Sequence, residues 1–119
     1  MSAPDWIAAT VRDFGRGVGI GDFSLGDRGA AAFRFEYAGG ELVMATTAPA
    51  ANDAATARRI LACAHPDARF GAAVRAGYLA RSGCAVFVVR IAAQDVTLPV
   101  VNANFGALWR VATEFGGVS

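Results

Sequence analysis

Apolar and polar positions along this chain follow a two-residue period in some stretches and a helical period in others, and the pattern divides it into elements. The stretch from Ala72 to Ile91, AAVRAGYLARSGCAVFVVRI, is rich in Val, Phe, Tyr and Ile and breaks at Ser82-Gly83, which predicts two strands joined by a turn. If that dipeptide is the whole loop, Ala80 faces Ala85, Tyr78 faces Phe87, Ala76 faces Val89 and Val74 faces Ile91. That face is wholly apolar. The opposite face sets Leu79 against Val86 and Gly77 against Val88, with Cys84 beside them and Arg75, Arg81 and Arg90 around the edge. Antiparallel sheets usually bury one face and leave the other polar. A second apolar face with an arginine border therefore predicts a partner.

The same alternation recurs upstream. Phe23-Ser24-Leu25 reads as a short strand closed by Gly26-Asp27-Arg28-Gly29, and Ala30 to Tyr37 as a longer one, with Phe33, Phe35 and Tyr37 alternating against Arg34 and Glu36. Gly39-Gly40 supplies the positive φ angles of a two-residue hairpin, which sets Tyr37 opposite Leu42, Phe35 opposite Met44 and Phe33 opposite Thr46. The other face pairs Glu36 with Val43 and Arg34 with Ala45.

Helical spacing marks the remaining elements. Ile7, Val11, Phe14 and Val18 form a first stripe, with Trp6 at its flank, Ser2 or Asp5 as cap and Pro4 in the first turn. Glycines at 15, 17, 19 and 21 end it and read as a turn. Pro49 stops a strand, after which Asn52 or Asp53 caps a second helix running to about Ala64, where His65-Pro66 ends it. Thr97 caps a last helix, with Pro99 in its first turn, a stripe of Val101, Phe105, Leu108, Ala112 and Phe115, and Gly116-Gly117 as stop. The order is α-β-β-β-α-β-β-α in a single α+β domain covering residues 1–119, its antiparallel sheet packed against helices.

Composition narrows the function classes. The chain is 55% hydrophobic and 18% charged, which excludes disorder and leaves apolar surface for another chain to cover. No run approaches the roughly 20 apolar residues of a membrane span, and MSAPDWIAA has neither the basic start nor the apolar core of a signal peptide. The expectation is a cytoplasmic protein. A net charge of +1 does not argue for nucleic acid. The arginines alternate with carboxylates and make no stripe or stacking platform. The local cluster of Arg75, Arg81 and Arg90 instead borders an apolar contact or pairs with acidic groups on another chain.

Candidate chemistry is sparse. The glycine run GRGVGIG lacks glycine at Ile20 or Asp22, as GxGxxG would need, and it follows a helix. A phosphate-binding GK[ST] is impossible without lysine, since all 11 basic residues are arginine. His65 could serve catalysis only with Cys63 or Cys84. Cys63 is two residues away, where helix geometry turns the side chains apart. The two cysteines fit no metal spacing, and the ten carboxylates are scattered. No catalytic residue, metal or cofactor is expected, and the chain does not read as an enzyme.

DWIAATVRDFG followed by GVGIGDFSL, the hairpin FRFEYAGGELVMAT, the helix ARRILACA and AGYLARSGCAVFVVR leading into NFGALWRVATEF together resemble the class I type III secretion chaperones, the Tir-chaperone family of Gram-negative bacteria. That resemblance implies a cytoplasmic, ATP-independent homodimer, which holds the N-terminal segment of a secreted effector in extended form. Family dimers join through the second helix and a neighbouring strand, which implies an interface at Ile60, Leu61, Leu79, Cys84, Val86 and Val88. Client contact near the first helix and first strands implies Trp6, Phe23, Leu25 and Val43. A regulatory module of the same fold, sequestering a transcription or secretion factor, is the alternative that the same residues allow.

Overall fold

A computed structural model describes residues 5–14, 19–25, 31–62 and 74–116 of the chain. In order it contains helix α1 (Asp5–Asp13), strands β1 (Gly19–Leu25), β2 (Ala31–Ala38) and β3 (Glu41–Pro49), helix α2 (Ala54–Ala62), strands β4 (Arg75–Leu79) and β5 (Cys84–Ala92), a 3-10 turn at Ala93–Asp95, and helix α3 (Leu98–Gly116). This is the α-β-β-β-α-β-β-α order that the sequence predicts. Ser2, Pro4, Val18, the Gly26–Gly29 turn, Cys63, His65, Pro66 and Gly117 lie outside the described residues.

The strands form one five-stranded sheet in the order β1-β2-β3-β5-β4, with every neighbouring pair antiparallel. Alternate residues of the central pair, β3 and β5, are buried: Leu42, Met44, Thr46 and Ala48 from one, Ala85, Phe87, Val89 and Ile91 from the other. Helix α3 packs across both strands and against α1. Its predicted stripe of Val101, Phe105, Leu108, Ala112 and Phe115 is buried throughout. Ring contacts lock sheet to helix, with Phe33 5.2 Å from Phe105 and Phe87 edge-on to Phe115 at 5.4 Å. Each such side chain contributes about 1.5–3 kcal/mol by leaving water. Helix α1 adds Ile7 to the core, with Val11 and Phe14 packed against it.

The first hairpin has the predicted register, with Tyr37 opposite Leu42, Phe35 opposite Met44 and Phe33 opposite Thr46. Gly39 and Gly40 have φ of 62° and 79°, as a primed two-residue turn requires.

The second hairpin departs from expectation by two residues. Leu79 pairs with Cys84, Tyr78 with Ala85, Gly77 with Val86, Ala76 with Phe87 and Arg75 with Val88. Ser82-Gly83 is only the second half of the loop, which spans Ala80–Gly83. The Ser82 and Gly83 amides both donate to the Leu79 carbonyl, at 3.2 and 2.9 Å, and Gly83 closes the turn at φ 64°. A slip of two keeps every residue on its predicted face, so the division into two apolar faces holds.

The glycine run is the other correction. Gly19, Ile20 and Gly21 are not a turn but the first residues of β1, which pairs with β2 from Gly19↔Tyr37 to Leu25↔Ala31. A β-carbon on Gly19 would overlap the Tyr37 ring. Glycine here makes room for an aromatic side chain rather than bending the chain.

Candidate functional site

The helices lie on one side of the sheet, and the other side is where the sequence predicts a partner. There the register aligns Ala45, Val88 and Arg75 in one row across β3, β5 and β4, and Thr47, Val86 and Gly77 in the next. Pro49, Cys84 and Leu79 form a third row, and Val43 sits between Glu36 and Arg90. Val43, Ala45, Cys84, Val86 and Val88 are half-buried, while Leu42, Met44, Ala85, Phe87 and Val89, which alternate with them, are buried. Arg90 closes this patch on one side through an ion pair to Glu41, 2.7 Å between Nη1 and Oε1, with both side chains well exposed. Exposed pairs of this kind add little stability. Arg90 is thus engaged within its own chain. Arg75 and Arg81 are exposed and make no ion pair among the described residues.

The six residues expected at a dimer interface divide by exposure. Leu61 and Leu79 are 68% and 46% exposed, and Cys84, Val86 and Val88 lie on the helix-free face. Ile60 is the exception: it is buried in the chain's own core at 4% exposure. Helical spacing explains this, since Thr56 and Ile60 share the inward side of α2 while Ala57 and Leu61 lie one step around it. The expected client residues do not share one face. Trp6 lies on α1, and Phe23 and Leu25 on the edge strand β1, opposite Phe33 and Ala31. Val43 belongs to the patch with Val86 and Val88.

Helix α2 starts at Asp53, one of its two predicted caps. The Thr56 amide donates to Asp53 Oδ1 at 2.7 Å. That bond, with the Thr56 hydroxyl, the Ala55 amide and the charge of Arg59, holds the Asp53 carboxyl below its ordinary 3.8. At the far end of the helix, Arg59 Nη2 donates to the Phe115 carbonyl at 2.9 Å, and its guanidinium lies 4.8 Å from the centre of the Phe115 ring.

Between α2 and β4 opens an apolar hollow of about 230 Å3, lined by Ala51, Asn52, Asp53, Ala57, Ile60, Leu61, Ala76, Gly77 and Tyr78. Sequence reasoning missed it, because Ala76 and Tyr78 read there simply as core. One signal was available. From Ala54 to Gln94 the chain carries six arginines (58, 59, 69, 75, 81 and 90) against the single carboxylate Asp67, while the rest holds five arginines and nine carboxylates. The basic charge is therefore concentrated on the α2–β4–β5 segment, contrary to the alternation expected from the chain as a whole.

No set of three or more His, Cys, Asp or Glu that could hold a metal occurs among the described residues. Among them, too, no helix is long and apolar enough to cross a membrane. The Cys84 thiol lies 3.5 Å from the Ser82 carbonyl, and His65 and Cys63 fall outside the described residues. No family model, curated protein or solved structure matches the chain.

Proposed function

We propose that this chain is a cytoplasmic, ATP-independent chaperone for type III secretion, a homodimer that binds the N-terminal segment of an effector and keeps it extended until export. The observation that carries the reading is a sheet apolar on both faces within the α-β-β-β-α-β-β-α order. One face is consumed by the chain's own helices, and the other keeps Val43, Ala45, Val86 and Val88 half-buried, with no helix among the described residues sharing a core with them. Such a surface suits binding rather than bond-making chemistry. Leu79, Cys84, Val86 and Val88 supply the dimer contact on the helix-free face, exposed Leu61 on α2 offers a separate contact on the helix side, and Ile60, buried in the chain's own core, takes no part. Trp6 on α1, Phe23 and Leu25 on the edge strand β1 and Val43 in the helix-free patch are the residues that meet the client in this reading. Client protection needs no energy source, since binding lowers the free client concentration by mass action.

Coexpression with a candidate effector tests this. A complex with two copies of this chain per effector, lost when the effector's N-terminal segment is removed, is the expected result. A chain that stays monomeric and holds no effector segment overturns it.

A further inference from the structure

We infer that two copies of this chain stack helix-free face on helix-free face, with the two-fold axis running along β3. The inference rests on the homodimer reading and fixes its geometry, and it moves Val43 from the client to the contact between copies. The order β1-β2-β3-β5-β4 puts β3 in the middle of the sheet. An axis along the middle strand lays β2 over the partner's β5 and β1 over the partner's β4, so all five strands overlap. An axis along β5 would overlap only β3, β5 and β4. Strands about 4.8 Å apart and about seven residues long present roughly 500 Å2 in plan as a set of five, and roughly 300 Å2 as a set of three. A standard interface buries about 800 Å2 per partner, and the five-strand overlap is the one that approaches it. Ala32, Arg34, Glu36, Thr47, Arg75 and Arg90 of this face are all exposed.

Charge fits the same axis. Every charged residue of the five strands falls on the helix-free face by register. Strands β1 to β3 carry Asp22, Glu36 and Glu41 against Arg34, whereas β4 and β5 carry only Arg75 and Arg90. The face is thus acidic toward one side and basic toward the other, and a half-turn about β3 brings the two together. The row Ile20, Glu36, Val43, Arg90 shows it most directly. Glu36 and Arg90 flank Val43 on opposite sides, so the axis sets Glu36 over the partner's Arg90 and Val43 against its own copy. Glu36 makes no ion pair among the described residues. Arg90 already holds Glu41 at 2.7 Å, and its five N–H donors can serve a second carboxylate. In the next rows the axis passes through Ala45 and Thr47, small enough for two sheets to close at about 10 Å, and Ala32 meets the partner's Val86. Cys84 and Leu79 lie at the end of the contact. An axis along β5 would instead set Arg90 against its own copy. Charges of this kind fix orientation more than affinity.

Sedimentation velocity on the full chain tests this with two variants. Glu36→Arg sets an arginine against the partner's Arg90, and Arg90→Glu sets a glutamate against the partner's Glu36. Each is expected to raise the dimer Kd about a hundredfold, because the like-charge contact occurs twice per dimer. An equimolar mixture of the two variants is expected to recover a dimer of near wild-type affinity, since the mixed pair meets opposite charge at both contacts. Both positions are exposed, so circular dichroism should report an unchanged fold. Variants that dimerise like wild type, or a mixture no tighter than its components, overturn the inference. If Val86→Asp dissociates the dimer and Glu36→Arg does not, homodimerisation stands and the axis lies elsewhere. A wild-type chain that is monomeric at every concentration overturns both.

Discussion

Asp53 fixes where α2 begins, and its effect depends on its charge. A carboxylate accepting the Thr56 amide is stabilised in its ionised form, which lowers its pKa in the folded chain below 3.8. The sign follows from linkage: the contribution is present in full above the unfolded pKa and is lost as pH falls through the lowered folded value. Asp53→Ala should therefore lower Tm at neutral pH, and the gap to wild type should close as pH is taken below 3.8. Thermal melts across that range check it, and a gap independent of pH would mean that charge is irrelevant to the cap. Gly19 makes the opposite kind of demand. Tyr37 lies against it, parallel to Phe35 at 6.3 Å and tilted against Phe14 at 5.8 Å, so the ring has neighbours on its flanks when a methyl is added beneath it. Gly19→Ala should cost about 1–3 kcal/mol in chemical denaturation. The same residue shows why β1 was only partly legible. A glycine-rich run reads as a turn when its own composition is all there is, and the reason for the glycine lies on β2, in Tyr37.

Among the elements, the two hairpins show what local pattern can and cannot set. Gly39-Gly40 is a complete loop, its two positive φ angles are a property of those two residues, and the register follows without error. Ser82-Gly83 presents the same kind of signal, yet the hydrogen bonds of both amides to Leu79 carry the turn back to Ala80. The choice between two and four loop residues is made by the whole loop backbone and by the pairing of β5 with β3, which residue-by-residue propensity does not contain. Face assignment survived because the slip was even. The residues of the helix-free face were legible for the same reason, whereas the groove was not, since it depends on how far α2 stands from β4. That spacing is held partly by Arg59, which joins α2 to the end of α3 by a hydrogen bond and a ring contact. Arg59→Ala should cost about 1–2 kcal/mol and speed amide exchange in α2 more than in β3 or β5. Uniform exchange across the three elements would show that α2 is held by Ile60 alone.

At the scale of the whole molecule, Phe87 and Val88 are neighbours on one strand with opposite obligations. Phe87 is fully buried against α3, and Val88 is half-buried on the helix-free face. In a lone chain an aspartate at position 88 can keep its carboxylate in water beside Arg75, its register partner, so folding stability should change little. In an assembly that covers this face, the same carboxylate is desolvated, and its cost rises to several kcal/mol. Val88→Asp, with Val86→Asp as its companion, therefore separates folding from association. The expected outcome is a wild-type dimer by sedimentation or light scattering, with a Tm that rises with protein concentration. The variants should be monomers with unchanged far-ultraviolet circular dichroism and a Tm independent of concentration. Variants that stay dimeric would move the contact off this face, and a wild-type chain that is monomeric at every concentration would leave the helix-free face without the partner its apolar surface calls for.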